Sequence, residues 1–264
     1  MKIKLGIFDS GIGGFSVLNS LIAKRTDVNI IYLADTKRIP YGEKNKDEIK
    51  QIAFEISNWF KDKKLDALLV ACNTTNACAL NILKNNLEIP IFDLINSVSE
   101  IVSENQVGVL ATTATIKSSC YKKTIGDKGK RKKVFQQACP EFVDEIERIP
   151  MNYKRIDSLA EQYLKPLLKE NIQVIILGCS HYPLIYEVLR KKIPIRIKLI
   201  DPSIALIEKL NNSFHKLSFD KKKNLALDNV EFFATGKIDE FSQKVTKWLG
   251  IYKKISLVNL RTDA

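Results

Sequence analysis

The chain has 264 residues, of which 45% are hydrophobic, and it carries a net charge of +12. This length allows one large domain or two smaller ones, each with its own core. No segment reaches the roughly 18 apolar residues of a membrane span, and the first apolar stretch is too short for a signal peptide, so we expect a cytoplasmic protein with no membrane partner.

The first part of the chain alternates strands and helices. IKLGIFD predicts a strand, SGIGG a polar glycine loop, and the segment from Val17 to Ile22 the apolar face of a helix. VNIIYLAD predicts a second strand that ends at Asp35, and a helix around residues 49–60 follows it. LDALLV predicts a third strand, which ACNTTN connects to another helix. Alternation at these spacings predicts an α/β fold with a largely parallel sheet.

The same pattern then begins again. NQVGVLATTATI parallels the first strand and its loop, and IQVIILGCSHYP parallels the third strand and its loop. The separation is 66 residues from Gly6 to Cys72 and 71 residues from Gly108 to Cys179. We interpret the two units as a duplication that gives two pseudo-symmetric α/β lobes flanked by helices. Each lobe then presents a cysteine at a strand tip to a shared cleft.

The end of the chain has no counterpart in the first half. YEVLRKKIP, PSIALIEKLNNSF and DEFSQKVTKWLG predict helices, and IRIKLID and VEFFATG predict strands. We expect the last of these elements to return to the first lobe. The predicted domains are residues 1–96 plus 205–264, which carry Cys72, and residues 97–204, which carry Cys179.

Much of the positive charge lies in KKTIGDKGKRKK, residues 122–133. The segment has no aromatic residue to stack on bases, and no helix-turn-helix or zinc-finger pattern lies nearby. It is more typical of a solvated lysine-rich loop than of a specific site, and Gly126 and Gly129 mark a loop or a helix break. We expect no specific nucleic-acid partner, while weak, salt-sensitive binding stays open.

The five cysteines are an odd number in a chain with no recognised secretion signal, which favours reduced thiols. There is no CxxC pair, and the chain has two histidines, so we predict no metal site. No Schiff-base lysine motif is apparent, so we predict no pyridoxal phosphate and no other cofactor. A lone cysteine is more often a packing residue, and this is our interpretation of Cys78, Cys120 and Cys139.

Two facing thiols have a direct chemical meaning. Inverting a stereocentre that carries an acidic hydrogen requires a base on one face and a proton donor on the other. A cysteine serves in either role, because a nearby cation or helix N-terminus lowers its ordinary pKa of about 8.5. His181 is two residues from Cys179 and can assist it, and Asp9 can act in the same way beside Cys72.

Six segments together resemble cofactor-independent glutamate racemase. In chain order they are FDSGIGG, ADTKRIPYGEK, ACNT, VGVLATTAT, CPEFVDEIE and GCSHYPL. The resemblance implies two pseudo-symmetric α/β domains, an active site at their interface, and racemisation of glutamate by two thiols without pyridoxal phosphate. It also implies a role in supplying D-glutamate for bacterial peptidoglycan in the cell wall.

The resemblance also implies roles for individual residues. Cys72 and Cys179 match the acid/base thiols, and Asp9 and His181 match supporting catalytic groups. The implied glutamate-contacting residues offer hydroxyls, amides and backbone N–H groups. They are Asp9, Ser10, Pro40, Tyr41, Gly42, Asn73, Thr74, Thr112, Thr115, Glu147, Ser180 and His181. We expect Glu147 to accept a hydrogen bond from the substrate ammonium.

Two departures from the family pattern occur. Ser180 stands where the family usually has threonine, so we expect retained function in a slightly roomier pocket. VDEIE replaces a more apolar family stretch before Glu147.

The glycine loop after the first strand does not match a nucleotide-binding motif. Ser16 occupies the position of the last glycine of G-x-G-x-x-G, and no Gly-Lys-Ser/Thr sequence follows. We expect the loop to offer backbone N–H groups to a substrate carboxylate.

Three other functions compete with this interpretation. A racemase for aspartate or another small acid shares the two-thiol logic. A Cys-His hydrolase that uses Cys179 and His181 leaves Cys72 unexplained, and a nucleic-acid-binding protein leaves both cysteine motifs unexplained. The sequence leaves the oligomeric state open, with a homodimer as one option.

Overall fold

The computed structural model describes residues 2–25, 27–126, 132–214 and 227–260. The strands in these ranges are β1 (Ile3–Asp9), β2 (Val28–Ala34), β3 (Ala67–Val70), β4 (Ile91–Asp93), β5 (Gln106–Ala111), β6 (Lys133–Ala138), β7 (Val174–Gly178), β8 (Lys198–Ile200), β9 (Val230–Ala234) and β10 (Ile255–Leu257). The α-helices are α1 (Phe15–Ile22), α2 (Lys46–Lys61), α3 (Asn73–Asn86), α4 (Leu94–Ile101), α5 (Thr113–Ser118), α6 (Cys120–Gly126), α7 (Phe142–Glu147), α8 (Tyr153–Leu168), α9 (Tyr186–Lys192), α10 (Pro202–Ser213) and α11 (Ile238–Leu249). None of the helices in this part of the chain is long and apolar enough to cross a bilayer.

The strands form two sheets, and all described strand pairs are parallel. The first sheet has the order β10-β9-β2-β1-β3-β4, and the second has the order β6-β5-β7-β8. Four strands of the first sheet therefore repeat the complete order of the second, with β1 equivalent to β5 and β3 equivalent to β7. The predicted α/β fold with two pseudo-symmetric, parallel-sheet lobes is confirmed.

The first lobe takes strands from both ends of the chain. β9 pairs with β2, and β10 pairs with β9, so residues 230–257 extend the sheet that starts at Ile3. Helices α4 and α10 follow equivalent strands and pack against each other. The predicted domain limits at residues 96 and 205 both fall inside these two helices, and they stay a prediction.

An aromatic cluster fixes α11 on the first lobe. Phe241 of α11 lies 5.9 Å from Phe15 and 6.3 Å from Tyr32, measured between ring centroids, and Phe232 of β9 lies 5.5 Å from Tyr32. All four rings are buried. Burial of such side chains contributes about 1.5–3 kcal/mol each, and this packing anchors the helix next to the glycine loop.

The predicted loop over residues 122–133 is wrong at both of its ends. Helix α6 continues to Gly126, and β6 begins at Lys133, where it pairs with β5. The missed strand has a mixed polar pattern, KVFQQA, because it is a half-buried sheet edge. Residues 127–131, which include Gly129, lie outside the described residues.

Candidate active site

The carboxyl ends of the two sheets face each other. Asp9 is the last residue of β1, Cys72 caps α3 just after β3, and Cys179 follows β7 directly. Loops at the carboxyl ends of parallel strands are where α/β folds bind ligands. The hydroxyl of Ser180 donates a 2.8 Å hydrogen bond to Asp9 Oδ2, which joins the two strand tips across the lobes.

Both strand-tip cysteines line one small cavity. The space that the centre of a water-sized sphere can occupy in this cavity is about 10 Å³. The cavity therefore has room for about one water molecule. The residues that line it are Ser10, Tyr41, Gly42, Cys72, Asn73, Thr74, Thr112, Val143, Cys179, Ser180 and His181. Among these described residues there is no Lys or Arg, so hydroxyls, amides, thiols and one imidazole form the polar surface.

Ten of the sequence-predicted site residues are in this lining, and four are outside it. Asp9, Pro40, Thr115 and Glu147 lie next to the cavity without lining it. Val143 is the one lining residue that sequence reasoning did not select.

Cys72 is a buried thiol on the first lobe, with 3% of its surface exposed. Burial raises its pKa to about 12, and the negative charge of Asp9 acts in the same direction. Because this pKa lies far above neutral pH, Cys72 is protonated in the resting protein and is a proton donor.

Cys179 lies at the head of a chain of polar contacts. Its sulfur is 3.8 Å from His181 Nδ1, and His181 Nε2 is 2.7 Å from Glu147 Oε1. Burial alone lowers the pKa of His181, but the contacts with Cys179 and Glu147 outweigh it and raise the pKa well above its ordinary value. The raised pKa favours the charged form of His181, and an imidazolium at this position stabilises negative charge on a neighbouring sulfur.

Glu147 supports His181 from behind. Besides His181, its Oε1 accepts a 3.1 Å hydrogen bond from the backbone N–H of Ile12, and its Oε2 lies 2.7 Å from Lys244 Nζ. Burial opposes its ionisation, but His181 and Lys244 prevail and lower its pKa to about 2. Both oxygens face protein donors and Glu147 does not line the cavity, so its expected contact with a substrate ammonium stays a prediction.

Asp9 is fully buried between the two lobes. Its Oδ1 accepts a 2.8 Å hydrogen bond from the N–H of Gly11, and its Oδ2 accepts from Ser180. Burial raises its pKa, partly offset by the charge of His181. Asp9 thus contacts the Cys179 loop directly, and its negative charge raises the pKa of Cys72.

Hydroxyls and an amide from both lobes meet at the cavity. Thr74 Oγ1 of the first lobe is 3.0 Å from Thr112 Oγ1 of the second, which is 3.0 Å from Thr115 Oγ1. Tyr121 donates a 2.7 Å hydrogen bond to Asn73 Oδ1. Among the residues that the structure describes, none accepts a hydrogen bond from the buried amide nitrogen of Asn73, so this nitrogen is a donor for a bound group.

Asp35 holds the loop that carries Tyr41 and Gly42. Its carboxylate accepts hydrogen bonds from Arg38 at 2.6 Å, from Thr235 at 2.6 Å, and from the hydroxyl of Tyr41. A Cβ on Gly42 would lie 2.7 Å from Cβ of Thr112, so glycine allows this loop to contact the opposite lobe. Asp35 therefore positions two of the residues that line the cavity.

Sequence reasoning missed Lys244 and Tyr121, which contact site residues from the outside. A signal for Lys244 exists in the sequence. It lies three residues after Phe241 and one before Val245, on the buried face of an amphipathic helix, where a cation is unusual unless it has a partner. Tyr121 is fully buried, and its place beside Asn73 depends on packing between lobes.

The chain belongs to the family described as Asp/Glu/Hydantoin racemase, whose sequence profile matches residues 15–210. It is therefore an amino-acid racemase, an isomerase. It is 47% identical to a glutamate racemase from Prochlorococcus marinus (strain NATL2A) over 259 residues, which cover 98% of each chain.

Solved structures agree with this assignment. A glutamate racemase from Bacillus anthracis is 30% identical, covers 98% of each chain and has a TM-score of 0.88. A glutamate racemase from Francisella tularensis in complex with D-glutamate is 32% identical, covers 99% of each chain and has a TM-score of 0.87. The resemblance to glutamate racemase that the sequence motifs predict is confirmed.

Proposed function

We propose that the protein interconverts L-glutamate and D-glutamate with Cys72 and Cys179 as the two acid/base groups, and thereby supplies D-glutamate for peptidoglycan in the cytoplasm. One observation carries the proposal. The two cysteines occupy equivalent strand tips of two pseudo-symmetric lobes and line the same cavity. A substrate between them has one thiol on each face of its α-carbon.

The two cysteines take opposite roles in each direction of the reaction. The thiolate of Cys179, stabilised by the His181 imidazolium, removes the α-proton of L-glutamate and becomes a thiol. The thiol of Cys72, held protonated by its pKa of about 12, delivers its proton to the opposite face. The product is D-glutamate with a Cys72 thiolate, and the reverse reaction follows the same steps backwards.

Fixed hydrogen-bond donors hold the substrate while its proton moves. The unpartnered amide nitrogen of Asn73 and the hydroxyls of Thr74 and Thr112 are suited to the carboxylate oxygens of glutamate. An enclosed site excludes water, which strengthens these interactions and the stabilisation of charge that develops on the α-carbon and α-carboxylate.

Glutamate is larger than the cavity of about 10 Å³. The cavity therefore has to widen when glutamate binds, and separation of the lobes would break the contacts of Ser180 with Asp9 and of Thr74 with Thr112. Closure of lobes or loops is a common way to complete a catalytic site around its substrate.

A Cys-His hydrolase is the second candidate, because Cys179, His181 and Glu147 are connected in the order of a nucleophile, base and orienting acid. It assigns no task to Cys72. Racemisation leaves the mass of the substrate unchanged, whereas a hydrolase releases an acyl or ammonia product. Mass spectrometry of the products therefore separates the two functions.

The test uses purified protein with no added cofactor. We expect circular dichroism to show loss of optical activity from L-glutamate and not from L-aspartate. Cys72→Ser and Cys179→Ser should each lower racemisation at least about a thousandfold, or about 4 kcal/mol in activation free energy, because serine is a far weaker base. Cys78→Ser, a buried cysteine outside the cavity, is the matched control and should racemise at nearly the parent rate.

Exchange in D₂O assigns each thiol to one face. Cys72→Ser should still exchange the α-hydrogen of L-glutamate with retained configuration, and Cys179→Ser should do the same with D-glutamate. If either variant racemises glutamate at close to the parent rate, the two-thiol proposal is wrong.

A further inference from the structure

Lys244 makes a buried ion pair that crosses from one lobe to the other. It is on α11 of the first lobe, and its Nζ is 2.7 Å from Glu147 Oε2 at the end of α7 in the second lobe. The Lys244 and Glu147 side chains are only 7% and 12% exposed. A pair so far from solvent is stable only if its geometry and its further hydrogen bonds are good.

Further contacts connect this ion pair to a series of polar groups that ends at Cys179. Lys244 Nζ also lies 2.5 Å from Glu240 Oε1, one turn earlier on the same helix. Because Lys244 takes Oε2 of Glu147, only Oε1 is left to face His181 Nε2. The opposite ring nitrogen, Nδ1, then points at the sulfur of Cys179.

We infer that Lys244 is a positioning residue for one half of the racemisation, the half in which Cys179 exchanges a proton with L-glutamate. This inference rests on the proposed function and adds a residue and a direction to it. Lys244 touches neither the cavity nor the two thiols, and it acts by holding Glu147 ionised and oriented behind His181. Among the described residues, Cys72 makes no hydrogen bond or ion pair with His181, Glu147 or Lys244, and Asp9 is the group whose charge acts on both sides.

Charge explains why a lysine is needed. Glu147 is buried and adjacent to Asp9, so an ionised carboxylate there requires compensating positive charge. His181 supplies one cation and Lys244 the other. Without Lys244, Oε2 of Glu147 is left buried and unpartnered, and the carboxylate turns or takes up a proton in response. Either change removes the partner that keeps His181 charged and aimed at Cys179.

Steady-state kinetics alone do not show whether Lys244 supports proton transfer at Cys179 or at Cys72. L-Glutamate and D-glutamate have equal free energies, so kcat/KM must be the same in both directions for any variant. Exchange of the α-hydrogen in single-thiol variants separates the two faces. The experiment therefore introduces Lys244→Met into Cys72→Ser, which reports the Cys179 face, and into Cys179→Ser, which reports the Cys72 face.

We expect Lys244→Met to slow exchange of L-glutamate on the Cys179 face at least about tenfold and to leave exchange of D-glutamate on the Cys72 face within about threefold. Exchange at the Cys72 face comes only from folded molecules, so it controls for lost stability. Lys244→Arg keeps the charge and should restore most of the exchange. Lys247→Met is the matched control, since Lys247 is an exposed cation on the same helix.

A spectroscopic measurement supplements exchange. The chain has two histidines, so the ¹⁵N spectrum of histidine-labelled protein is simple, and His181→Asn assigns the His181 signals. We expect an imidazolium pattern at neutral pH in the parent and partial conversion to neutral imidazole in Lys244→Met.

The outcomes separate the inference from the proposed function. If Lys244→Met slows α-hydrogen exchange equally at both faces, or at neither face, the role of Lys244 is overturned while the two-thiol function stands. If the single-thiol parents themselves show no face-specific exchange, the proposed function fails first. An unchanged His181 spectrum in Lys244→Met also contradicts the inference.

Discussion

The glycine loop gives the sharpest test of how closely the two lobes meet. A Cβ built on Gly13 would lie 2.3 Å from Ser180 Oγ and 2.5 Å from His181 Nδ1. Ordinary van der Waals contacts of a Cβ fall between 3.4 and 4 Å. Gly13→Ala therefore creates an overlap of about 1 Å with two atoms of the opposite lobe.

The free-energy cost of this overlap depends on which side chain moves to relieve it. Rotating Ser180 away breaks its 2.8 Å hydrogen bond to Asp9, and moving His181 away breaks its alignment with Cys179. Loss of a hydrogen bond to a charged group costs about 1.5–3 kcal/mol, and overpacking costs about 1–3 kcal/mol. A displacement of about 1 Å at a catalytic group lowers turnover about a hundredfold.

We therefore expect Gly13→Ala to lower kcat/KM for glutamate about a hundredfold, measured by circular dichroism, and to lower the free energy of unfolding in urea by about 1–3 kcal/mol. Gly126→Ala is the matched control, because a Cβ on Gly126 meets nothing within 4 Å. If Gly13→Ala keeps kcat/KM within about threefold of the parent, the close approach of the loop to Ser180 and His181 is refuted.

Two further predictions concern the amide and the carboxylate of the site. Tyr121→Phe frees Asn73 from the hydrogen bond that orients it, so KM for glutamate should rise about tenfold with a smaller change in kcat, and an unchanged KM in steady-state assays would contradict this. Glu147 has its pKa lowered from 4.5 to about 2, so the folded state binds fewer protons than the unfolded state. The resulting stabilisation is complete above about pH 4.5 and is lost as the pH falls toward 2. Urea titrations should show a smaller loss of stability over this window in Glu147→Gln than in the parent, and equal losses would count against the ion pairs of Glu147.

The strand tips were predictable because they depend on local patterns. Cys72 and Cys179 each follow a short apolar run, and parallel strands place such positions at one edge of the sheet. The matching spacings also pointed to two similar lobes. The strands that escaped detection are short or polar, and the 16-residue helix α8 was not predicted either. β4 and β10 have three residues each, and β6 alternates poorly because it is a sheet edge.

The supporting residues of the site were less predictable, since they depend on contacts between distant segments. Lys244 is 97 residues from Glu147 in sequence, and Tyr121 is 48 residues from Asn73. A family motif identified Glu147 but not what its carboxylate faces. The orientation of that carboxylate follows from the packing of α11 and the glycine loop against α7, which no local pattern encodes.

The return of the chain to the first sheet has a consequence for synthesis. Ala34 of β2 pairs with Ala234 of β9, 200 residues later, whereas the second sheet uses strands from one continuous stretch, residues 106–200. At roughly 5–20 residues per second, a ribosome needs about 10–40 s to cover the distance between these two alanines. The second lobe can complete its sheet first, while β2 waits with an open, apolar edge. A chain released before residue 230 keeps that edge permanently, and it is a strand that other unfinished copies can pair with.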